Sequence, residues 1–258
     1  MIREYIVDAF TDKPFAGNQA AVCILDEWLP DELMQKITLE NNFSETAFTV
    51  KEGERYHLRW FNPHKEVTLC CHATLATAFI IMNFIEPGLS EICFDTLSGS
   101  LTVTRTDELL TLGLPSIPMH SIPITDAMAE AVGSRPLEAY LGKDLVFVLA
   151  NEAAVRNAVP KQDVIAVLDG ALLHITAPGK DYDCVSRSFA PKCGIDEDPV
   201  CGRCHCHIAK LWGEKLGKNK INAFQASGRG GELYCEYVDG RTYISGRAAL
   251  FAEATLHI

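Results

Sequence analysis

The stretch Thr46–Pro63, TAFTVKEGERYHLRWFNP, lies without gaps over His174–Pro191, HITAPGKDYDCVSRSFAP, so that Arg59 meets Arg187, Phe61 meets Phe189 and Pro63 meets Pro191. After three extra residues in the second copy, Glu66-Val67-Thr68-Leu69-Cys70 falls on Glu197-Asp198-Pro199-Val200-Cys201. Further on, Ser98-Gly99 falls on Ser227-Gly228. Each match is weak alone, but their common order and near-constant offset indicate a duplication, which decides the architecture before any local reading. Between the copies stand Pro115, Pro118 and Pro123. Three prolines fit neither a central strand nor a helix interior, so a division into residues 1–115 and 116–258 is expected.

Short runs with strand character dominate each half, among them Tyr5–Phe10, Ala47–Val50, Tyr56–Phe61, Leu145–Leu149 and Glu232–Tyr237. Helices are fewer. Pro30-Asp31-Glu32 reads as a helix start, and Thr125 with Gly133 brackets another. The two helices that organise the halves follow the repeated cysteines. After Cys70, residues from His72 to Phe84 are apolar nearly all round, which calls for cover on every side. After Cys201, the positions Cys204, Ile208, Leu211, Trp212 and Leu216 recur at helical spacing, with Gly217 as the stop. The expected fold is α+β: two pseudo-symmetric domains, each a curved mixed sheet around a central helix.

The 258 residues are 48% hydrophobic and 22% charged, a globular composition, and the net charge of -11 argues against nucleic acid or an anionic membrane as partner. The most apolar run, Ala73–Ile85, is shorter than the ~20 residues of a membrane-spanning helix. Met1-Ile2-Arg3-Glu4-Tyr5 lacks a signal-peptide pattern, so ten cysteines are expected as reduced thiols in a cytoplasmic protein.

A helix N-terminus presents backbone N–H groups and a partial positive charge. Two such ends, related by the repeat and aimed at one interdomain cleft, would hold a small anionic metabolite and stabilise charge developing beside its carboxylate. The scheme needs no cofactor and no metal, and the chain has no phosphate loop, nucleophile elbow or zincin helix. Glu45 adds a carboxylate in one half only, since the gapless overlay sets it against Leu173. A partly buried Glu can serve as acid and base, although a surface glutamate at a strand entrance is the plain alternative.

These residues carry a resemblance to the phenazine-biosynthesis PhzF family, whose fold is that of diaminopimelate epimerase. It extends over Asp8-Ala9-Phe10 with Gly17-Asn18, Asn42–Phe48, Leu69–Ala76, Glu197–Gly202 and Gln225–Gly231. The resemblance implies a cofactor-independent isomerase, often a homodimer, in which Glu45 shuttles a proton between carbons while His72 and Asp198 hold the substrate and assist. It also implies that Asn18, Ser44, Cys71, Cys201, Gly202 and Arg203 line the binding site. The chain departs from the family where Cys71 replaces a glycine, Arg203 a serine and Gln19 a proline.

Two alternatives stay open. In epimerase relatives, cysteines at the helix starts work on opposite faces of the substrate, and Cys70 and Cys201 stand at those places, so a two-thiol racemase is possible. A binding protein that kept the fold without the chemistry is the other. Cys201-Gly202-Arg203-Cys204-His205 also has the C-x-x-C-H spacing of haem attachment, and Cys206 and His207 add zinc-type ligands. Successive residues at a helix start diverge, however, so few of these can converge on one ion.

Overall fold

The computed structural model describes all residues, Met1–Ile258, and divides into two compact units, Met1–Gly113 with Ser245–Ile258, and Leu114–Ile244. The segment from Ser245 onward, placed by sequence with the second half, thus belongs to the first. The reason is a strand pairing described below.

The first unit runs β1 (Ile2–Ala9), β2 (Asn18–Leu25), α1 (Asp31–Asn41), β3 (Thr46–Glu52), β4 (Arg55–Phe61), β5 (Glu66–Val67), α2 (Cys71–Ile80), β6 (Glu91–Thr96), β7 (Gly99–Thr106) and β8 (Leu109–Pro115). The second runs β9 (His120–Ser121), α3 (Asp126–Val132), β10 (Glu138–Leu141), β11 (Leu145–Val148), α4 (Glu152–Arg156), α5 (Gln162–Val167) and β12 (Leu173–Pro178). It continues with β13 (Cys184–Ala190), β14 (Ile195–Asp198), α6 (Gly202–Leu216), β15 (Lys220–Gln225), β16 (Gly231–Val238) and β17 (Arg241–Gly246). The last strand, β18 (Ala248–Leu256), lies antiparallel to β1, with Ile2 opposite Leu256.

Strand pairing repeats in the same pattern. In the first unit β1 and β2 are antiparallel, β2 and β3 parallel, β3 and β4 antiparallel, and β4 then takes β5 antiparallel and β6 parallel. In the second, β10 to β15 show the same series, from the β10/β11 antiparallel pair to the β13/β15 parallel one. The side chains repeat with it. Arg59 makes a two-pronged ion pair with Glu66 at 2.7 and 2.8 Å, and Arg187 makes the same pair with Glu197 at 2.8 and 2.8 Å. Ser98 Oγ donates to the Thr68 carbonyl at 2.6 Å, and Ser227 Oγ to the Pro199 carbonyl at 2.7 Å.

The register refines the overlay. Thr46 faces Phe61, whereas Phe189 faces Leu173 and not His174. The strand β12 is therefore shifted by one residue, and Glu45 has Leu172 as its counterpart instead of Leu173. The gapless overlay missed this because the turn between β12 and β13 differs in length from the Gly53-Glu54 turn of the first hairpin.

Both organising helices form as the apolar spacing demands. α2 is buried at every position except Phe79, which is half-buried, and packs on β1, β2, β3 and β18 before passing into a π-helical turn at Ile81–Ile85. α6 packs on β15 and β16, and Gly217 ends it in the left-handed region at φ 66°. α1 starts after Pro30, which caps the helix instead of opening its first turn, and seats Met34 and Ile37 in a cluster with Cys23, Phe48 and Phe61. No helix is long and apolar enough to cross a membrane.

Candidate active site

Each half builds a polar constellation of its own. In the first, Glu45 sits at the junction of α1 and β3. Asn42 ends α1 in the left-handed region, and Asn41 Nδ2 donates to Thr46 Oγ1 at 3.2 Å and to the buried Glu4 carboxylate at 2.7 Å. These bonds tie the chain on both sides of Glu45, whose side chain is 20% exposed. From α2, His72 brings Nε2 to 3.4 Å from Glu45 Oε2. Asn18 Nδ2 lies 3.2 Å from His72 Nδ1, and Cys70 Sγ 3.5 Å from the same nitrogen. Burial lowers the His72 pKa to about 4 despite a hydrogen bond with the backbone of Gln19, so the ring is neutral at pH 7.

Asn18 reaches this position because the loop before it is held tightly. Asp8 Oδ2 accepts from the Phe15 N–H at 2.9 Å. Gly17 adopts φ 65°, and a Cβ there would lie 2.1 Å from the Ala9 carbonyl oxygen, so no other residue fits. Ser44 is half-buried beside Glu45, and Cys71 is buried at the first position of α2.

In the second half, Asp198 ends β14 and Cys201 caps α6, its Sγ accepting from the Cys204 N–H at 3.4 Å. Gln225, fully buried, clamps the intervening turn: Oε1 accepts from the Cys201 N–H at 2.8 Å and Nε2 donates to the Asp198 carbonyl at 2.6 Å. Its position inside a glycine-flanked motif was visible in the sequence, but its clamping role was not, because its partners lie before α6. Burial, and then the adjacent Asp198 charge, push the Cys201 thiol well above its ordinary pKa. Gly202 opens α6.

Arg203 does not join this group. Expected to bind an anionic substrate, it donates instead to Asp144 Oδ1, and Asp144 is completely buried in the turn between β10 and β11. A buried carboxylate needs a nearby cation, which explains where the long side chain goes. Burial alone would raise the Asp144 pKa, but hydrogen bonds with His174 and His207 and the charge of Arg203 hold it far below the usual carboxylate range.

The arrangement of the first half sets a partly exposed carboxylate against a buried, neutral imidazole. The fold and comparison with known proteins together define an isomerase-type α+β enzyme. Residues 7–254 match the family described as phenazine biosynthesis-like protein, PhzC-PhzF. An uncharacterised isomerase of Pseudomonas aeruginosa is 43% identical over 98% of this chain and 97% of its own. The crystal structure of a PhzF-family phenazine biosynthesis protein from Enterococcus faecalis superposes with a TM-score of 0.97 at 46% identity, covering 99% of both chains. At the level of fold alone, a probable proline racemase from Agrobacterium radiobacter superposes with a TM-score of 0.65 at 12% identity over 100% of this chain and 93% of the other. The chain belongs to the phenazine biosynthesis-like family and is an isomerase with the epimerase-like fold.

Proposed function

We propose that this isomerase moves a proton between carbons of a small carboxylate-bearing metabolite, with Glu45 as the acid and base. The observation that carries this reading is the Glu45–His72–Asn18 group: the carboxylate is partly exposed, and the imidazole 3.4 Å away is neutral and held from its other side. A neutral His72 can pass a hydrogen bond to a substrate without competing with Glu45 for the proton. The scheme calls on no cofactor.

A specific observation weighs against the two-thiol racemase. Cys201 would have to act as a thiolate, and its pKa is raised by burial and by Asp198, the opposite of an activated thiol.

The test is solvent exchange. In D₂O, with a panel of amino acids, hydroxy acids and cyclic dienoic amino acids followed by NMR, a C–H beside or conjugated to the carboxylate exchanges with wild-type protein. Exchange lost in Glu45→Gln and retained in Cys201→Ser supports the carboxylate mechanism. The reverse pattern replaces it with the two-thiol one.

A further inference from the structure

Asp144, His174 and His207 come from three separate elements, the β10–β11 turn, β12 and α6, and all three side chains are completely buried. Their ligand atoms lie within 4.8 Å of one another: His174 Nε2 is 3.3 Å and His207 Nε2 3.2 Å from the same oxygen, Asp144 Oδ2. We propose that these residues supply three ligands to a divalent transition cation of the zinc type, in a site distinct from the Glu45–His72 group of the first half.

The distances fit that use. Tetrahedral coordination at about 2.0–2.1 Å separates neighbouring ligand atoms by roughly 3.3 Å, and hydrogen bonds to a charged carboxylate run shorter, at about 2.7–2.9 Å. The outer contacts are those that orient metal ligands. Ser188 Oγ lies 3.0 Å from His174 Nδ1, and Arg203 and the Leu172 N–H both occupy the other carboxylate oxygen, leaving Oδ2 to an ion. His207 Nδ1 is buried without a partner, so the orientation of that ring rests on its Nε2 side alone.

The duplication sharpens the case. Matched through strand register and helix start, Asp144, His174 and His207 correspond to Ala20, Ala47 and Ala76 of the first half, all completely buried. Ser188 corresponds to Trp60, which is opposite Ala47 as Ser188 is opposite His174. One half thus has a large buried ring and three buried methyl groups at these positions. The other has replaced all four with a small hydroxyl and three metal-ligand side chains.

Full-length protein expressed in zinc- or cobalt-supplemented medium and gel-filtered with EDTA tests this by elemental analysis and by the visible bands of tetrahedral Co²⁺. The expected result is about one equivalent of metal in wild type and in His72→Ala, which breaks the other His-containing cluster, with at least a tenfold loss in His207→Ala and His174→Gln. Metal-free wild type from both media overturns the proposal and leaves a buried polar network. Metal that disappears with His72→Ala and survives His207→Ala also overturns it, by placing the ion with Glu45. Should His207→Ala not fold, wild type and His72→Ala still decide.

Discussion

The two halves share strand pairing, the Arg–Glu pair and the serine clasp, yet differ at the positions proposed to carry chemistry. The first half has Glu45 where the second has Leu172, and His72 where the second has Arg203. The second has Asp198 where the first has Val67. What holds each half together is shared, and what differs is the proposed site residues and part of the core. Even a substituted side chain can keep the older bond: Thr74 Oγ1 donates to the Cys70 carbonyl at 2.5 Å, and His205 Nδ1 lies 2.8 Å from the Cys201 carbonyl at the matching place.

Moving the acid across the repeat is the sharpest way to break this comparison. Glu45→Gln should lower exchange by ~10²–10⁴-fold, and adding Leu172→Glu should not restore it, as measured by NMR deuterium uptake. Restored exchange would mean that the halves are interchangeable in function as well as in fold.

Core truncation comes next. Trp60→Ala should cost ~3–5 kcal/mol, because the ring is fully buried, whereas Ser188→Ala at the matching position should cost about 1 kcal/mol for one lost hydrogen bond. Urea unfolding of both variants gives the ratio, and equal losses would contradict the different core fillings.

Acid should expose a third difference. His205 is buried, and burial lowers its pKa to about 4, below the unfolded value near 6.5. The unfolded chain binds the proton more tightly, so this contribution to stability is complete above about pH 6.5 and is lost as pH falls toward 4, amounting to a few kcal/mol. Urea midpoints measured across that window should fall less steeply in His205→Thr, which copies Thr74. An unchanged slope would remove His205 from the account.

The smallest effect concerns the repeated ion pairs. Arg187→Ala should cost more than Arg59→Ala, by about 1 kcal/mol, because Arg187 also donates to the Ala158 carbonyl at 2.8 Å while Arg59 reaches the exposed Asp31. Comparable losses in urea would show that only the shared Arg–Glu pair matters.

The sequence made the duplication, the two organising helices and the strands with long apolar runs legible. It did not single out β5, β6, β8, β9, β10, β12, β13, β14, β15 or β18 as strands. Glu91–Thr96 and Ala248–Leu256 mix polar and apolar residues with half-exposed faces, and β14 is short and acidic, so none advertises a strand. The Glu45–His72–Asn18 group was readable as separate motif residues because each lies beside a chain feature, a helix end, a helix start or a glycine turn. Asp144 and Gln225 were not assigned roles, because what they do depends on partners far along the chain. The pairing of Arg203 was hidden for the same reason, since its partner is a buried carboxylate in a distant turn.

The pairing of β1 with β18 gives the molecule an order of assembly. During synthesis the second unit, Leu114–Ile244, emerges as one uninterrupted segment and has all its own strands before β18 exists. The first unit emerges earlier, yet must wait with one edge of β1 unpaired until the final strand leaves the ribosome. The half that is made first is therefore the half that is completed last.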